Sequence, residues 1–319
     1  MSNKEHNTQA INSEDNFEKE AESALGEVMG DSEDVPTMAF AMELSSLNQA
    51  GGTEIGRRRR HNEDYFGIES RVFKKETPQG STIKGQGLYI VCDGMGGHSA
   101  GEVASTMAVE ILQQYFQTHW QEEMPDEETI RQGILLANEK IHEVNQEKAR
   151  AGSGRMGTTL VMALVQDTQV AIAHVGDSRA YQVNCYGDIL QLTVDHEVGQ
   201  REIAKGLSPE EAYRLSNAYQ LTQALGPRPN RYVNPDIQYL DIQEDNLLLL
   251  CSDGLSDGNL LEDYGESYLT PLLNSNANLE KGLLELIDFA NQQHGHDNLT
   301  GVAVQLKLRP DTGNNYDTV

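Results

Sequence analysis

Cysteine is scarce in this chain: Cys92, Cys185 and Cys251 are all there are. An odd number cannot pair off completely, and Cys92 and Cys251 each end an apolar run. They read as buried free thiols of a reducing compartment, and a disulfide framework is excluded. Basic residues are also few, with 24 Lys and Arg against 50 Asp and Glu, a formal net charge of −26. A surface that negative repels nucleic-acid phosphates and anionic lipid headgroups, which excludes binding held to either by overall charge. No window contains the roughly 18 consecutive apolar residues of a membrane-spanning helix. The first residues lack the basic stretch followed by an apolar one that marks a secretory signal. The expectation is a soluble cytoplasmic protein, monomeric, with no nucleic acid or membrane partner.

What is there is unevenly spread. Residues 1–54 hold twelve acids against Lys4 and Lys19, and up to residue 35 the only aromatic is Phe17. Low hydrophobicity with high charge cannot offset the entropy of ordering, so residues 1–45 read as an acidic, solvated tail. Residues 309–319 read as a second, short tail. Residues 46–308 then form one domain.

Within it, Leu88–Cys92 and Leu247–Cys251 are continuous apolar runs, the pattern of strands buried on both faces. Thr158–Val165, Gln169–Val175 and Arg179–Val183 read as consecutive strands joined by tight turns, hence antiparallel neighbours. Gly301–Leu308 alternates as a final strand. Helices fit Ser99–Phe116, Glu127–Lys148 and Leu279–Gln293, which carry apolar residues at three-and-four spacing. Residues 196–230 are polar and hold Gly206, Pro209, Pro227 and Pro229, so they read as an excursion over the surface.

Two strand runs end alike, in Cys92-Asp93-Gly94 and Cys251-Ser252-Asp253-Gly254. A carboxylate at a strand terminus is a rigidly held oxygen ligand, and the following Gly permits close backbone approach. Glu63-Asp64, Gly176-Asp177-Ser178 and Asp297-Asn298 occupy comparable turns, and Asp257 lies four residues past Asp253. Hard divalent ions such as Mg²⁺ or Mn²⁺ take such oxygen ligands. Any one Asp-Gly is foremost a turn dipeptide. Arg57–Arg60 alone could equally be a nucleic-acid or localisation patch.

The order of the motifs carries more. Gly56-Arg-Arg-Arg-Arg-His-Asn-Glu-Asp64 is followed by Val91-Cys-Asp-Gly-Met-Gly-Gly-His98, Gly101-Glu-Val-Ala-Ser105 and Met156-Gly-Thr-Thr159. Then come His174-Val-Gly-Asp-Ser-Arg-Ala-Tyr181, Leu192-Thr-Val-Asp-His196, Leu221-Thr-Gln-Ala-Leu-Gly226, Ser252-Asp-Gly-Leu255 and Asp297-Asn-Leu-Thr300. Over about residues 50–308 the chain resembles the PPM family of metal-dependent protein phosphatases, the type 2C serine/threonine phosphatases, in the bacterial style.

The resemblance implies an α+β fold: a four-layer α/β/β/α sandwich, two central antiparallel sheets flanked by helices, with the metal site at one end. It implies two core Mg²⁺ or Mn²⁺ ions held by Asp64, Asp93, the carbonyl of Gly94, Asp253 and Asp297. A third ion would use Asp177 and Asp257. Arg59, four residues before Glu63, would clamp the substrate phosphate. Residues 196–230 correspond to the family's variable flap. Met95 stands where eukaryotic members carry a His proposed as general acid; His98, three residues on, is either its substitute or a structural hydrogen-bonding residue. The implied reaction is direct attack of metal-activated water on phosphoserine or phosphothreonine. Implied partners are phosphoproteins, a serine/threonine kinase or a partner-switching protein. Two other classes stand beside it: an inactive phosphoprotein-binding relative, which should have lost ligands where this chain has lost none, and another two-metal phosphoester hydrolase acting on nucleic acid or nucleotides.

Overall fold

The structure is a computed structural model that describes residues 41–77, 80–96, 100–150 and 155–311. Both expected tails fall mainly outside these residues, as does His98.

Eleven strands are described: β1 Met42–Glu54, β2 Asp64–Thr77, β3 Gly80–Met95, β4 Gly157–Thr158, β5 Leu160–Gln166, β6 Gln169–Val175, β7 Arg179–Val183, β8 Ile189–Gln191, β9 Asp236–Asp241, β10 Asn246–Cys251 and β11 Leu299–Pro310. Helices α1 Ala100–His119 and α2 Glu127–Arg150 follow β3; α3 Val198–Ala204 and the single turn α4 Pro209–Ala212 follow β8; α5 Asp253–Ser256, α6 Leu260–Leu269 and α7 Leu279–Gln293 follow β10. One sheet has the order β1-β11-β10-β7-β8, the other β2-β3-β5-β6-β9 with β4 paired to β3. All the pairings are antiparallel.

The apolar runs are explained by burial on both faces. Along β3, Tyr89 and Val91 point between the sheets, while Leu88, Ile90 and Cys92 pack beneath α1 and α2. Along β10, Leu248 and Leu250 point between the sheets, while Leu247, Leu249 and Cys251 pack beneath α6 and α7. Side chains alternate across a strand, so a strand between two apolar layers has no polar face to present. The result is the expected α/β/β/α sandwich with three apolar layers.

Three details differ from the expectation. First, β5 and β6 are antiparallel neighbours, but β7 is not the neighbour of β6; it crosses to the other sheet and pairs with β10 and β8. The crossing runs through Gly176, whose φ of 114° is left-handed backbone that glycine adopts without strain. Second, the first strand begins at Met42, ahead of residue 46, and Leu44 and Leu47 bury their side chains between the sheets. The last strand reaches Pro310, opposite Met42, past the expected end at 308. Third, residues 196–230 are more than a surface excursion: Ala212, Ala218 and Leu225 are buried, and Leu225 bridges to Thr158 at the sheet edge.

Leu248 is fully buried between the two sheets. Replacing it with Ala leaves a cavity that neither rigid sheet can close. Leu248→Ala is expected to lower unfolding free energy by about 2–5 kcal/mol, read as a lower urea midpoint at unchanged slope. An unchanged midpoint would refute this packing assignment.

Candidate metal centre

Five carboxylates arrive at one end of the sandwich on five different segments. Asp64 starts β2 and lies directly opposite Asp93, near the end of β3. Asp253 follows β10, and Asp297 precedes β11. Asp177 sits in the crossing between β6 and β7. The placement is held by neutral hydrogen-bonding groups. The Ser252 hydroxyl donates to Asp64 Oδ2 at 2.7 Å and accepts from the Thr300 amide at 3.0 Å. The Asp93 amide donates to Thr159 Oγ1 at 2.9 Å, and that hydroxyl lies 2.7 Å from Ser178 Oγ beside Asp177.

Gly94 follows Asp93 where the backbone of Gly101 and Glu63 closes in. A Cβ on Gly94 would lie 2.2 Å from the Gly101 carbonyl oxygen and 2.4 Å from that of Glu63. No other residue fits there. The Glu63 carbonyl accepts from the Gly94 amide at 3.1 Å and from Ser105 Oγ at 2.6 Å, which ties α1 to the loop before β2. Asn298 secures the other side of that loop, donating to the carbonyls of Ile55 and His61 and accepting from the Glu63 amide. The same loop brings Arg59 onto Asp297, to which it donates. Arg57, by contrast, donates to the Asn291 carbonyl and holds the loop to the end of α7. The run Arg57–Arg60 therefore divides by role.

Crowding like charges in a dry place raises their proton affinity. Asp93 is pushed well above the ordinary carboxylate range, by burial first and then by the charges of Asp64, Asp253 and Asp177. Burial and the charges of Asp253 and Asp297 raise Asp64 to about 7 against its hydrogen bonds. Asp253 rises to about 6 and Asp177 to about 8, each through burial first and neighbouring carboxylates second. Asp64 Oδ1 and Asp253 Oδ1 are buried without any hydrogen-bond partner. A buried oxygen with no donor is expensive unless a cation satisfies it. An all-oxygen set with orphaned atoms and excess negative charge fits a hard divalent ion.

Beside this cluster lies a cleft of about 410 Å³ lined by Asp177, Asp253, Asp257, Glu197 and His296 among others. Asp257 Oδ2 lies 3.1 Å from His296 Nε2. Arg179 grips Asp195 through Nε and Nη2, at 3.1 and 2.7 Å. A second acid–imidazole group, His174, His196 and Asp236, stands at the β6–β9 edge. Both nitrogens of His196 are already engaged, and His174 Nε2 lies 2.9 Å from the Val194 carbonyl. The Gly176 amide can only donate, so His196 Nδ1 accepts at 3.1 Å, and Nε2 carries the proton facing Asp236 Oδ2 at 3.2 Å. A metal on Nε2 would require a proton on Nδ1, against that amide. The group is a hydrogen-bonded latch.

Comparisons with known proteins identify the family. Residues 60–288 match the family model for protein phosphatase 2C. The serine/threonine phosphatase stp of Listeria innocua is 35% identical over 270 residues, which cover 80% of this chain and 94% of that protein. The chain belongs to the protein phosphatase 2C family. Membership makes it an enzyme, a protein serine/threonine phosphatase. The structure of the S. agalactiae serine/threonine phosphatase is 31% identical with a TM-score of 0.63, covering 81% of this chain and 99% of that one. The catalytic domain of the serine/threonine phosphatase PstP, solved in complex with two manganese ions, is 26% identical with a TM-score of 0.58; the match covers 84% of this chain and all of that one.

Of the positions that resemblance to type 2C phosphatases singled out, Asp64, Asp93, Gly94, Asp253, Asp297 and Asp177 lie together. Arg59 and Asp257 flank them, and His98 is outside the described residues. Sequence reasoning missed the residues that support these acids and the loop beside them: Ser252, Thr159, Ser178 and Asn298. All four sit inside quoted motifs, but nothing in a motif's spelling tells a ligand from its support.

The proton affinities set a sign. A carboxyl whose folded value lies above its unfolded 3.8 holds protons more tightly when folded. Stability of the metal-free protein is then lost as pH rises through the folded values. Thermal midpoints in chelator are expected to fall by about 3–6 °C between pH 6.5 and 8.5. Saturating Mn²⁺ reverses the slope, since the ion and protons compete for the same oxygens. Asp253→Asn should raise the metal-free midpoint at pH 8.5. Midpoints independent of pH and metal would dismiss the cluster as the source.

Proposed function

We propose that this chain dephosphorylates phosphoserine and phosphothreonine in proteins by direct attack of water on phosphorus, at a dinuclear Mg²⁺ or Mn²⁺ centre and without a covalent phosphoenzyme. The observation that carries the reading is the pair of orphaned buried oxygens, Asp64 Oδ1 and Asp253 Oδ1, set among carboxylates that repel one another. The two core ions would be held by Asp64, Asp93, the Gly94 carbonyl, Asp253 and Asp297; Asp177 and Asp257 would take a third. When bound, divalent ions neutralise the carboxylates and bring the pKa of water towards neutrality.

The chain's own residues do the remainder. Asp93 and Asp64, fixed by Thr159 and Ser252, aim their oxygens inward without reorganising. Arg59 stands at the rim, partly exposed, and its planar fork suits two oxygens of a phosphomonoester dianion. In that role it exchanges part of its contact with Asp297 for the substrate. The leaving alkoxide is proposed to take its proton from water at the centre or from His98. Residues 196–230, which border the cleft through Glu197 and Tyr219, are proposed to act as a flap that shapes substrate choice. The substrates are proposed to be cytoplasmic phosphoproteins, a serine/threonine kinase or a partner-switching protein among them. Support for the metal comes from the manganese-bound relative and from the donor set here.

Hydrolysis of a phosphothreonine peptide is the test. Turnover should need Mn²⁺ or Mg²⁺ and vanish in chelator. Asp253→Ala should lose at least about 100-fold in kcat/KM, and Arg59→Ala about 100-fold with metal binding retained by calorimetry. Full turnover in chelator, or in Asp253→Ala, would refute the metal-centred reading. A folded, metal-loaded protein without turnover would point instead to phosphoprotein binding.

A further inference from the structure

On a chain of net charge −26, three arginines stand around one pocket without an acid among its lining residues. Arg155, Arg228 and Arg231 border a cavity of about 400 Å³ together with His142 and Tyr232. Six arginines, Arg59, Arg131, Arg179, Arg201, Arg214 and Arg309, each form an ion pair; Arg57, Arg58, Arg60 and Arg71, outside this pocket, form none among the described residues. Among the described residues Arg155, Arg228 and Arg231 form none either. Concentrating unpaired cations in a protein that otherwise repels anions requires a reason.

The pocket is built, not a chance meeting of surface side chains. Two buried asparagines of α2 hold both of its walls. Asn138 donates to the Arg228 carbonyl at 3.1 Å and to Asn230 Oδ1 at 2.6 Å, and accepts from the Gly226 amide at 2.7 Å. Asn145 donates to the carbonyls of Gly226 and Met156 and accepts from the Met156 amide at 2.8 Å, fixing the residue next to Arg155. Pro227 and Pro229 flank Arg228 and restrict the loop further. Arg231 lies 4.8 Å from the centroid of the Tyr232 ring. Its hydrogen bond and charge, with that of Arg228, hold the Tyr232 phenol below its ordinary pKa, a local sign of the positive field.

Position gives the pocket its meaning. Gly94 and Met95 pair with Thr158 and Gly157, and Thr158 bridges in turn to Leu225. Neighbouring strands lie about 4.8 Å apart, so Leu225 runs about 10 Å from Gly94, the residue after Asp93, and Arg228 follows three residues on. An extended peptide covers that in about three residues.

We propose that this pocket is a specificity subsite for an anionic side chain of the substrate, a carboxylate or a second phosphoryl group about three residues from the phosphoresidue under attack. The inference rests on the phosphatase reading and names the class of phosphoprotein preferred. Arg155, Arg228 and Arg231 bind the flanking anion and take no part at phosphorus.

The test compares phosphothreonine peptides carrying Glu, phosphoserine or Gln at positions two to five on either side, with p-nitrophenyl phosphate as a substrate too small to reach the pocket. For the full-length Mn²⁺ enzyme, the best acidic or doubly phosphorylated peptide should exceed the Gln peptide about tenfold in kcat/KM, mainly through KM, equivalent to about 1.4 kcal/mol. The Glu and phosphoserine arms tell which anion is preferred, and the advantage should shrink with salt. Arg155→Gln, Arg228→Gln and Arg231→Gln combined should reduce the preference to within about twofold, leaving p-nitrophenyl phosphate hydrolysis within about twofold of the parent. Arg231→Gln alone, which leaves both buried asparagine anchors untouched, should lose about a third to a half of the advantage on its logarithmic scale. A parent enzyme indifferent to flanking charge, or variants that keep the preference, would overturn the subsite while p-nitrophenyl phosphate turnover upholds the phosphatase. An RNA oligonucleotide that competes as well as the acidic peptide would overturn the peptide assignment. Absence of all turnover would overturn both readings.

Discussion

Repulsion among carboxylates crowded at one end of the sandwich is the constraint on which this molecule turns. Asp64, Asp93, Asp253 and Asp177 are each driven towards their protonated forms by burial and by one another. No chain gathers such groups by local preference, so something else must hold them. Here it is two sheets pressed face to face by Leu44, Tyr89, Val91, Leu248, Val302 and their neighbours, with helices sealing both outer faces. The acids occupy the strand ends, where the core stops and the backbone still has the rigidity of the ladder.

The same constraint explains the smaller residues around the acids. Ser252 donates to the Asp64 carboxylate and Thr159 accepts from the Asp93 amide, with Thr300 and Ser178 behind them, neutral contacts that hold the acids without neutralising them. A lysine in their place would satisfy the charge permanently and abolish the appetite for a cation. Glycine at 94 and 101 lets two backbones pass where a methyl group would collide. Counter-charge is kept at the rim, as Arg59 on Asp297 and Arg179 on Asp195. The two guanidinium groups differ in kind: Arg179 is held in two contacts with a buried acid, while Arg59 is exposed enough to change partners.

Much of the fold was legible because burial on both faces writes itself as a continuous apolar run. β6, β7 and α7 were read with their observed bounds, and β10 within one residue. β1 and β2 went unread because an edge strand with a solvated face has a mixed composition: β2 exposes Val72 and Phe73 while pairing along its whole length with β3. The neighbour assignment for β7 failed because a short turn ordinarily makes a hairpin, whereas Gly176 turns the chain out of its sheet. The acids of the site were legible as motif text, and the cationic pocket was not. Arg155 and Arg228 are 73 residues apart and resemble ordinary surface charges until Asn138 and Asn145 are seen to hold their loops together.

By itself the sequence showed apolar runs, helical periodicity and Asp-Gly turns, which are local properties of a chain; the layers and the set of carboxylates were implied by the resemblance that its ordered motifs carry. Only the tertiary structure showed these acids meeting at one end of the sandwich, Arg59 on Asp297 while Arg57 holds the loop to α7, and which polar residues support them. Those outcomes depend on register and on the crossing between sheets. Register brings Asp64 opposite Asp93, and the crossing at Gly176 delivers Asp177 to the same end. Both are settled by packing two cores at once, at distances along the chain over which no local pattern extends.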